Sequence, residues 1–190
     1  MKKNPMKIKL LLCFFLILLP MNHSYAFEGN RSGVILGVGF GFNESSLTTK
    51  SATGSLIENT NGFASLVRVG YGFNEQFNLF MERCDSLFYL DDNNNAVLWD
   101  SSLSGLGITY YLLKEPDSPY FTVSYGYGEQ LATKEEKYDK YHGKAYKFGL
   151  GYQTAGNIAI ELAAVRKELK SGSTYIVVES VLLTVNLVLF

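Results

Sequence analysis

The sequence predicts an all-β fold, a closed antiparallel eight-stranded up-and-down transmembrane barrel, and three observations predict it. Segments of roughly ten residues alternate bulky apolar side chains with small or polar ones at period two. The connections between them alternate between tight polar turns and longer polar stretches. No stretch beyond the N-terminal leader approaches the roughly 18 consecutive apolar residues of a membrane helix.

The leader is set aside first. Lys2, Lys3, Lys7 and Lys9 precede an unbroken apolar run from Leu10 to Leu19, and "PMNHSYA" ends in small residues. That order describes a secretory signal peptide over residues 1–26, cleaved between Ala26 and Phe27, and leaves one barrel domain over 27–190. Cys13 lies inside the apolar run without the small residues of a lipidation box before it. Removing four of the 17 basic residues leaves 13 against 18 acidic ones, with no Lys/Arg run, so nucleic acid is not an expected partner. Cys84 is then the sole cysteine, which excludes an intramolecular disulfide.

The first strand, Gly33 to Asn43, puts Val34, Leu36, Val38, Phe40 and Phe42 on one parity and Gly37, Gly39 and Gly41 on the other. The bulky parity continues as Val67, Val69, Tyr71 and Phe73 in a strand from Gly62 to Phe73, and as Phe77, Leu79 and Met81 in one from Phe77 to Tyr89. Strands from Ser101 to Leu113 and from Tyr120 to Glu129 carry Leu106, Ile108 and Tyr110, then Phe121, Val123 and Tyr125. Lys144 to Gln153 carries Tyr146, Phe148 and Leu150, and Ile158 to Arg166 carries Ile158, Ile160 and Leu162. In the last, Tyr175 to Leu189, the better outward set is Val181, Leu183, Val185, Leu187 and Leu189. Phe190 then either turns at the rim or follows a bulge.

Asn74 to Gln76, Lys114 to Pro119 and Thr154 to Asn157 are the tight turns. A three-residue loop at "NEQ" sets Arg68 opposite Glu82, and a turn centred between Pro116 and Asp117 sets Tyr110 opposite Val123 and Thr109 opposite Ser124. The long stretches, Glu44 to Asn61, Leu90 to Asp100, Gln130 to Gly143 and Lys167 to Thr174, are expected as loops outside the membrane. The lean parity faces a lumen just wide enough for side chains, and the apolar parity faces lipid. A soluble lipocalin barrel would invert that polarity.

"GVGFGF", "VRVGYGFNEQFNLFME", "GLGITYYL" and "FGLGYQTAGNIAIELAAV", with the final Phe190, resemble the small eight-stranded outer-membrane barrels of the OmpA transmembrane and OmpX type. The resemblance lies in pattern along nearly the whole mature chain. It implies a Gram-negative outer membrane, lipid and lipopolysaccharide as surroundings, no cofactor, and insertion by the barrel-assembly machinery, for which a C-terminal aromatic such as Phe190 is the signal.

On the inner parity sit Arg68, Glu82, Lys147 and Glu161, expected to pair as a polar plug. The function expected from this plan is structural or surface interaction of an adhesin-like kind with a host or surface ligand. Tyr138, Tyr141 and His142 of the third loop are the candidate contacts. A narrow porin-like channel is the alternative, and a lipid A-modifying enzyme the third. For the last, Lys144 stands where a deacylase would place a serine two residues after its histidine, so no catalytic constellation is assigned. Cys84 is expected to fill the lumen, and no His, Cys or carboxylate cluster has metal-ligand spacing.

Overall fold

A computed structural model describes residues 31–190 apart from 52–53, 93–94, 135–136, 155–156 and 173. The signal peptide and its cleavage site lie outside the described residues. Eight antiparallel strands, each hydrogen-bonded to the next, form a barrel that closes between β8 and β1. They are β1 (Gly33–Ser51), β2 (Gly54–Gly72), β3 (Phe77–Asp92), β4 (Asn95–Tyr111), β5 (Ser118–Lys134), β6 (Lys137–Gln153), β7 (Ile158–Ser171) and β8 (Thr174–Leu189). Following the register once around from Gly37, through Arg68, Glu82, Gly105, Gly126, Ala145, Lys167 and Val178, returns to β1 at Leu47. That stagger of ten residues tilts the strands by about 40° and gives a wall radius of about 8 Å.

The period-two pattern becomes two surfaces. Val34, Phe40, Met81, Leu106, Leu150, Leu162 and Val185 point outward and are exposed, whereas Leu66, Leu103, Ala145, Ala163 and Leu182 are buried inside. Along β1 the outward apolar run from Val34 to Phe42 spans about 20 Å at this tilt between its end Cα atoms, most of the ~25 Å apolar band of a barrel in a bilayer. Cross-strand aromatic pairs mark its two edges. Phe42 and Phe63 (5.6 Å between centroids) lie at one, and Phe73 with Phe77 (5.8 Å) and Tyr110 with Phe121 (5.4 Å) lie at the other.

Three sequence-based expectations change. The long polar stretches are ladder rather than loop, and pairing runs to Ser51↔Gly54, Asp92↔Asn95, Lys134↔Lys137 and Ser171↔Thr174. Beyond the apolar band the outward face meets water and turns polar while the inward face stays mixed, so the bulky-and-lean alternation disappears although backbone hydrogen bonding continues. The β4–β5 register is offset by two residues from the expected one, with Tyr110 opposite Phe121 and Thr109 opposite Thr122. A slip of two keeps every side chain on its face, which is why the pattern could not detect it. The turn is held instead by Leu112 N–H donating to Pro119 O (2.9 Å) and Leu113 N–H to Ser118 Oγ (3.0 Å). Finally, β8 pairs without a bulge, and Phe190 follows the inward parity onto the buried cluster of Ile35, Tyr111, Tyr120, Ala159 and Val188.

The interior is layered along the axis. That apolar cluster closes the turn end, where β2–β3, β4–β5 and β6–β7 connect. Above it comes the charged layer described below, then Ala64, Leu66, Cys84, Leu103 and Val165, then Leu47, Phe88, Leu169 and Val178 toward the hairpin end. Glycine on the inner parity makes room for this filling. A Cβ at Gly107 would stand 2.5 Å from the Phe80 ring, and one at Gly149 would stand 3.2 Å from the Glu161 carboxylate and 2.7 Å from Thr122 Cγ2.

Candidate functional site

The four inner charges meet in mid-barrel. Arg68 Nε lies 3.0 Å from Glu82 Oε2 and its Nη2 2.9 Å from Glu161 Oε1; Lys147 Nζ lies 3.0 Å from Glu82 Oε2 and 2.8 Å from Glu161 Oε1. Strand geometry explains the meeting. Arg68 and Glu82 are direct cross-strand partners, and β6 and β7 bring Lys147 and Glu161 across the lumen to them. Each carboxylate faces two cations and each cation two carboxylates, so the square is neutral. All four side chains are buried. Neutrality and mutual hydrogen bonding are what allow ions to sit in so dry a place. Tyr120 donates its hydroxyl to Glu161 Oε2 at 3.1 Å, and the Arg68 guanidinium lies 4.8 Å above the Phe80 ring.

Two buried cations escaped sequence reasoning. Arg31, just before β1, is wholly buried beneath the turn end. Its Nη1 donates to Glu75 O (2.8 Å) and Leu113 O (3.1 Å), its Nη2 to Glu115 O (2.5 Å) and Pro116 O (2.8 Å), and it stacks 4.0 Å over the Tyr111 ring. Burial pulls its pKa below the ordinary guanidinium value. Nothing in "NRSG" signals this role, because the turn carbonyls come from residues 44 to 85 positions away. Lys167 is buried near the hairpin end and donates to Ser101 O (2.8 Å) and Oγ (2.9 Å). It continues the inner parity of Glu161, Ala163 and Val165, a signal lost by ending the strand at Arg166. Cys84 is a buried free thiol in the apolar layer above the ionic square.

The predicted loop contacts lie on a strand. Tyr138, Tyr141 and His142 belong to β6, opposite Thr133, Gln130 and Glu129. Tyr141 leans inward against the uppermost buried cluster, whereas His142 points outward and stacks on Tyr127, with centroids 6.1 Å apart and planes at 24°. His142 also borders a groove of about 730 Å³ on the outer wall, shared with Lys144, Glu168, Lys170, Thr174 and Tyr175. Lys170 Nζ lies 5.7 Å over the Tyr175 ring. Exposed ion pairs frame the groove: Lys140 with Glu129 (2.8 Å), and Arg166 with Glu179 (2.8 Å) and Glu168 (3.2 Å). Directly below, toward mid-barrel, lies a shallow depression of about 920 Å³ with an apolar floor of Tyr125, Tyr146, Phe148, Ala164 and Val181 and a rim of Glu44, Asn59, Arg166 and Glu179. Among the described residues no group of three His, Cys, Asp or Glu is placed to hold a metal ion.

No protein-family model matches the sequence, and no curated protein does. Solved structures do match in shape. Neisserial surface protein A aligns over 82% of this chain and 97% of its own, at 14% identity and a TM-score of 0.54. Ail, the attachment invasion locus protein of Yersinia pestis, aligns over 82% and 99% at 16% identity and a TM-score of 0.52. The chain has the fold of the small eight-stranded outer-membrane barrels. Ail has also been solved in complex with the heparin analogue sucrose octasulfate, and in that form it aligns over 80% of this chain at 15% identity and a TM-score of 0.52. In this barrel charged side chains gather in two places, the lumen and the outer wall above the apolar band.

Proposed function

We propose that the chain is an integral protein of a Gram-negative outer membrane, with its turn end in the periplasm and its hairpin end outside. On this reading it serves as a surface-interaction barrel that binds an anionic saccharide on its outer wall. The observation that carries this is the groove of His142, Lys144, Lys170 and Tyr175 standing immediately above an apolar depression on the same wall. Lysines supply point charges for sulfate or phosphate, and an aromatic face beside them stacks on a sugar ring. The apolar depression below suits the acyl chains of a lipid whose head carries such groups, so the saccharide is lipid-linked, as in lipopolysaccharide, or free. The complex of Ail with a heparin analogue supports the same chemistry on a barrel of this fold.

The ionic square and the apolar layers on either side of it act as a plug, which argues for binding at the wall over conduction through the lumen. His142 rests on Tyr127 and has Lys144 where a deacylase would have its serine, which favours binding over catalysis. Phe190 is assigned as the C-terminal signal for the barrel-assembly machinery.

The test uses the purified protein in liposomes with sucrose octasulfate as probe, and in parallel lipopolysaccharide-containing against lipopolysaccharide-free vesicles. The Lys144→Gln/Lys170→Gln variant should bind about tenfold more weakly, and added salt should weaken the wild type. Tighter retention of lipopolysaccharide than of the free probe identifies the lipid-linked source, and the reverse the free one. Failure of the wild type to bind either, or equal binding by the variant, overturns the assignment.

A further inference from the structure

Above the ionic square and the apolar layer that covers it, the lumen turns polar once more. Asn43, Ser45, Ser101, Gln130, Lys167 and Ser180 point inward there, and all of them are buried. Leu66, Cys84, Leu103 and Val165 close this layer from below, and Leu47, Phe88, Leu169 and Val178 close it from above. On one side Asn43 Nδ2 donates to Ser45 Oγ (2.9 Å), and Ser45 Oγ shares a hydrogen bond with Ser180 Oγ (2.7 Å). Among the described residues the ammonium of Lys167 is the one charge buried in the layer.

Lys167 Nζ donates to Ser101 O and Oγ, both neutral, at 2.8 and 2.9 Å. An ammonium carries three N–H donors, so one of them has no acceptor among the described residues. No carboxylate of those residues lies within salt-bridge distance of it; Asp85 and Asp100, whose charges act on it through the wall, stand on the outward parity of β3 and β4. Lys147, lower in the same lumen, has carboxylates at 3.0 and 2.8 Å. Gln130 is the cross-strand neighbour of Ser101 and wholly buried, and neither its Nε2 nor its Oε1 has a hydrogen-bond partner among the described residues. A neutral acceptor would complete the hydrogen bonds and leave a charge uncompensated in a dry layer, whereas an anion completes both.

We infer that this layer is a binding site for a dehydrated monovalent anion of halide size, held by Lys167 Nζ and Gln130 Nε2 beside Ser101. One uncompensated positive charge sets the valence, and the packed apolar layers above and below set the size. The wall is shaped to bring the cation there. A Cβ at Gly128 would stand 3.0 Å from Leu169 Cδ2 and 3.5 Å from Lys167 Cβ, so the bare position lets the lysine stem pass beneath the upper apolar layer on its way to β4. The site is separate from the outer-wall groove, where Lys144 and Lys170 are exposed, and does not depend on what that groove binds.

The experiment unfolds the full chain with urea in detergent micelles, at constant ionic strength, in sodium chloride or in sodium gluconate, whose anion is too large for the layer. The wild-type midpoint should rise with chloride along a saturating curve, by at least about tenfold in the folding equilibrium. Lys167→Met should abolish that response and, by removing an uncompensated buried charge, should be no less stable than the wild type in gluconate. A lysine that served only to hold Ser101 would instead lose stability equally in both salts. Gln130→Leu keeps the charge and should raise the chloride needed for half the response by about threefold or more. Lys144→Gln/Lys170→Gln should keep the whole response. Heat-modifiability of each variant verifies folding, and crystals grown in bromide should show an anomalous peak at hydrogen-bond distance from Lys167 Nζ. Equal wild-type midpoints in the two salts, a response that survives Lys167→Met, or bromide peaks only outside the lumen overturns the inference.

Discussion

Replacing Glu82 with glutamine keeps the shape of the side chain and removes one charge from the centre of the barrel. Glu82 Oε2 sits 3.0 Å from both Arg68 Nε and Lys147 Nζ, and all three side chains are buried. At an effective dielectric of about 20, each such contact amounts to about 5 kcal/mol of attraction. Much of this is offset, because the carboxylate no longer has to be desolvated and its repulsion with Glu161 disappears. What remains is one uncompensated cation in a dry layer, for which a loss of about 3–5 kcal/mol is expected. Reversible urea unfolding in detergent micelles, followed by the fluorescence of Trp99, the single tryptophan, measures this. With a slope of about 1–3 kcal/mol per molar urea, the midpoint should fall by about 2 M. The paired variant Glu82→Gln/Lys147→Met restores neutrality and should recover most of the loss. A shift under about 0.5 kcal/mol for the single change, or a double variant no better than the sum of its parts, would refute the view that the four charges stabilise the lumen as one unit.

Other outcomes follow from the same structure. Arg31→Ala removes four donated hydrogen bonds to turn carbonyls and the stack on Tyr111, and should cost about 2–3 kcal/mol in the same unfolding assay, with Arg31→Lys recovering little because the forked geometry is lost. Gly107→Val forces a branched side chain into the Phe80 ring and should destabilise by at least about 1–3 kcal/mol, read as a lost heat-modified band at moderate urea. Cys84 is buried in the apolar layer, so maleimide should label it only after unfolding; rapid labelling of the folded protein would contradict its placement. Phe190→Ala leaves the ladder intact and should reduce the amount of barrel inserted in cells more than the unfolding midpoint of what is inserted.

Much of the barrel can be read along the chain, because a wall only one residue thick writes its two environments into alternate positions. The strand count, the β2–β3 register from "NEQ", the outward set of β8 and the inner parity of Arg68, Glu82, Lys147 and Glu161 all follow from that alternation. Where the outward face leaves the apolar band and turns polar the alternation vanishes, so the ladders beyond Phe42 and Tyr146 look like loops, and Lys167 and the strand position of His142 go unseen. The β4–β5 register escapes for another reason: a two-residue slip preserves every face, and the choice is made by Ser118 and by Arg31 reaching across from another part of the chain.

The sequence by itself determined which side chains look outward and which inward, since that division depends only on parity. Closure of the ring decided what those side chains meet. The ten-residue stagger carries Lys147 and Glu161 across the lumen to Arg68 and Glu82. Contacts between strands far apart in the chain depend on shear, and shear is a property of the closed sheet that no single strand encodes.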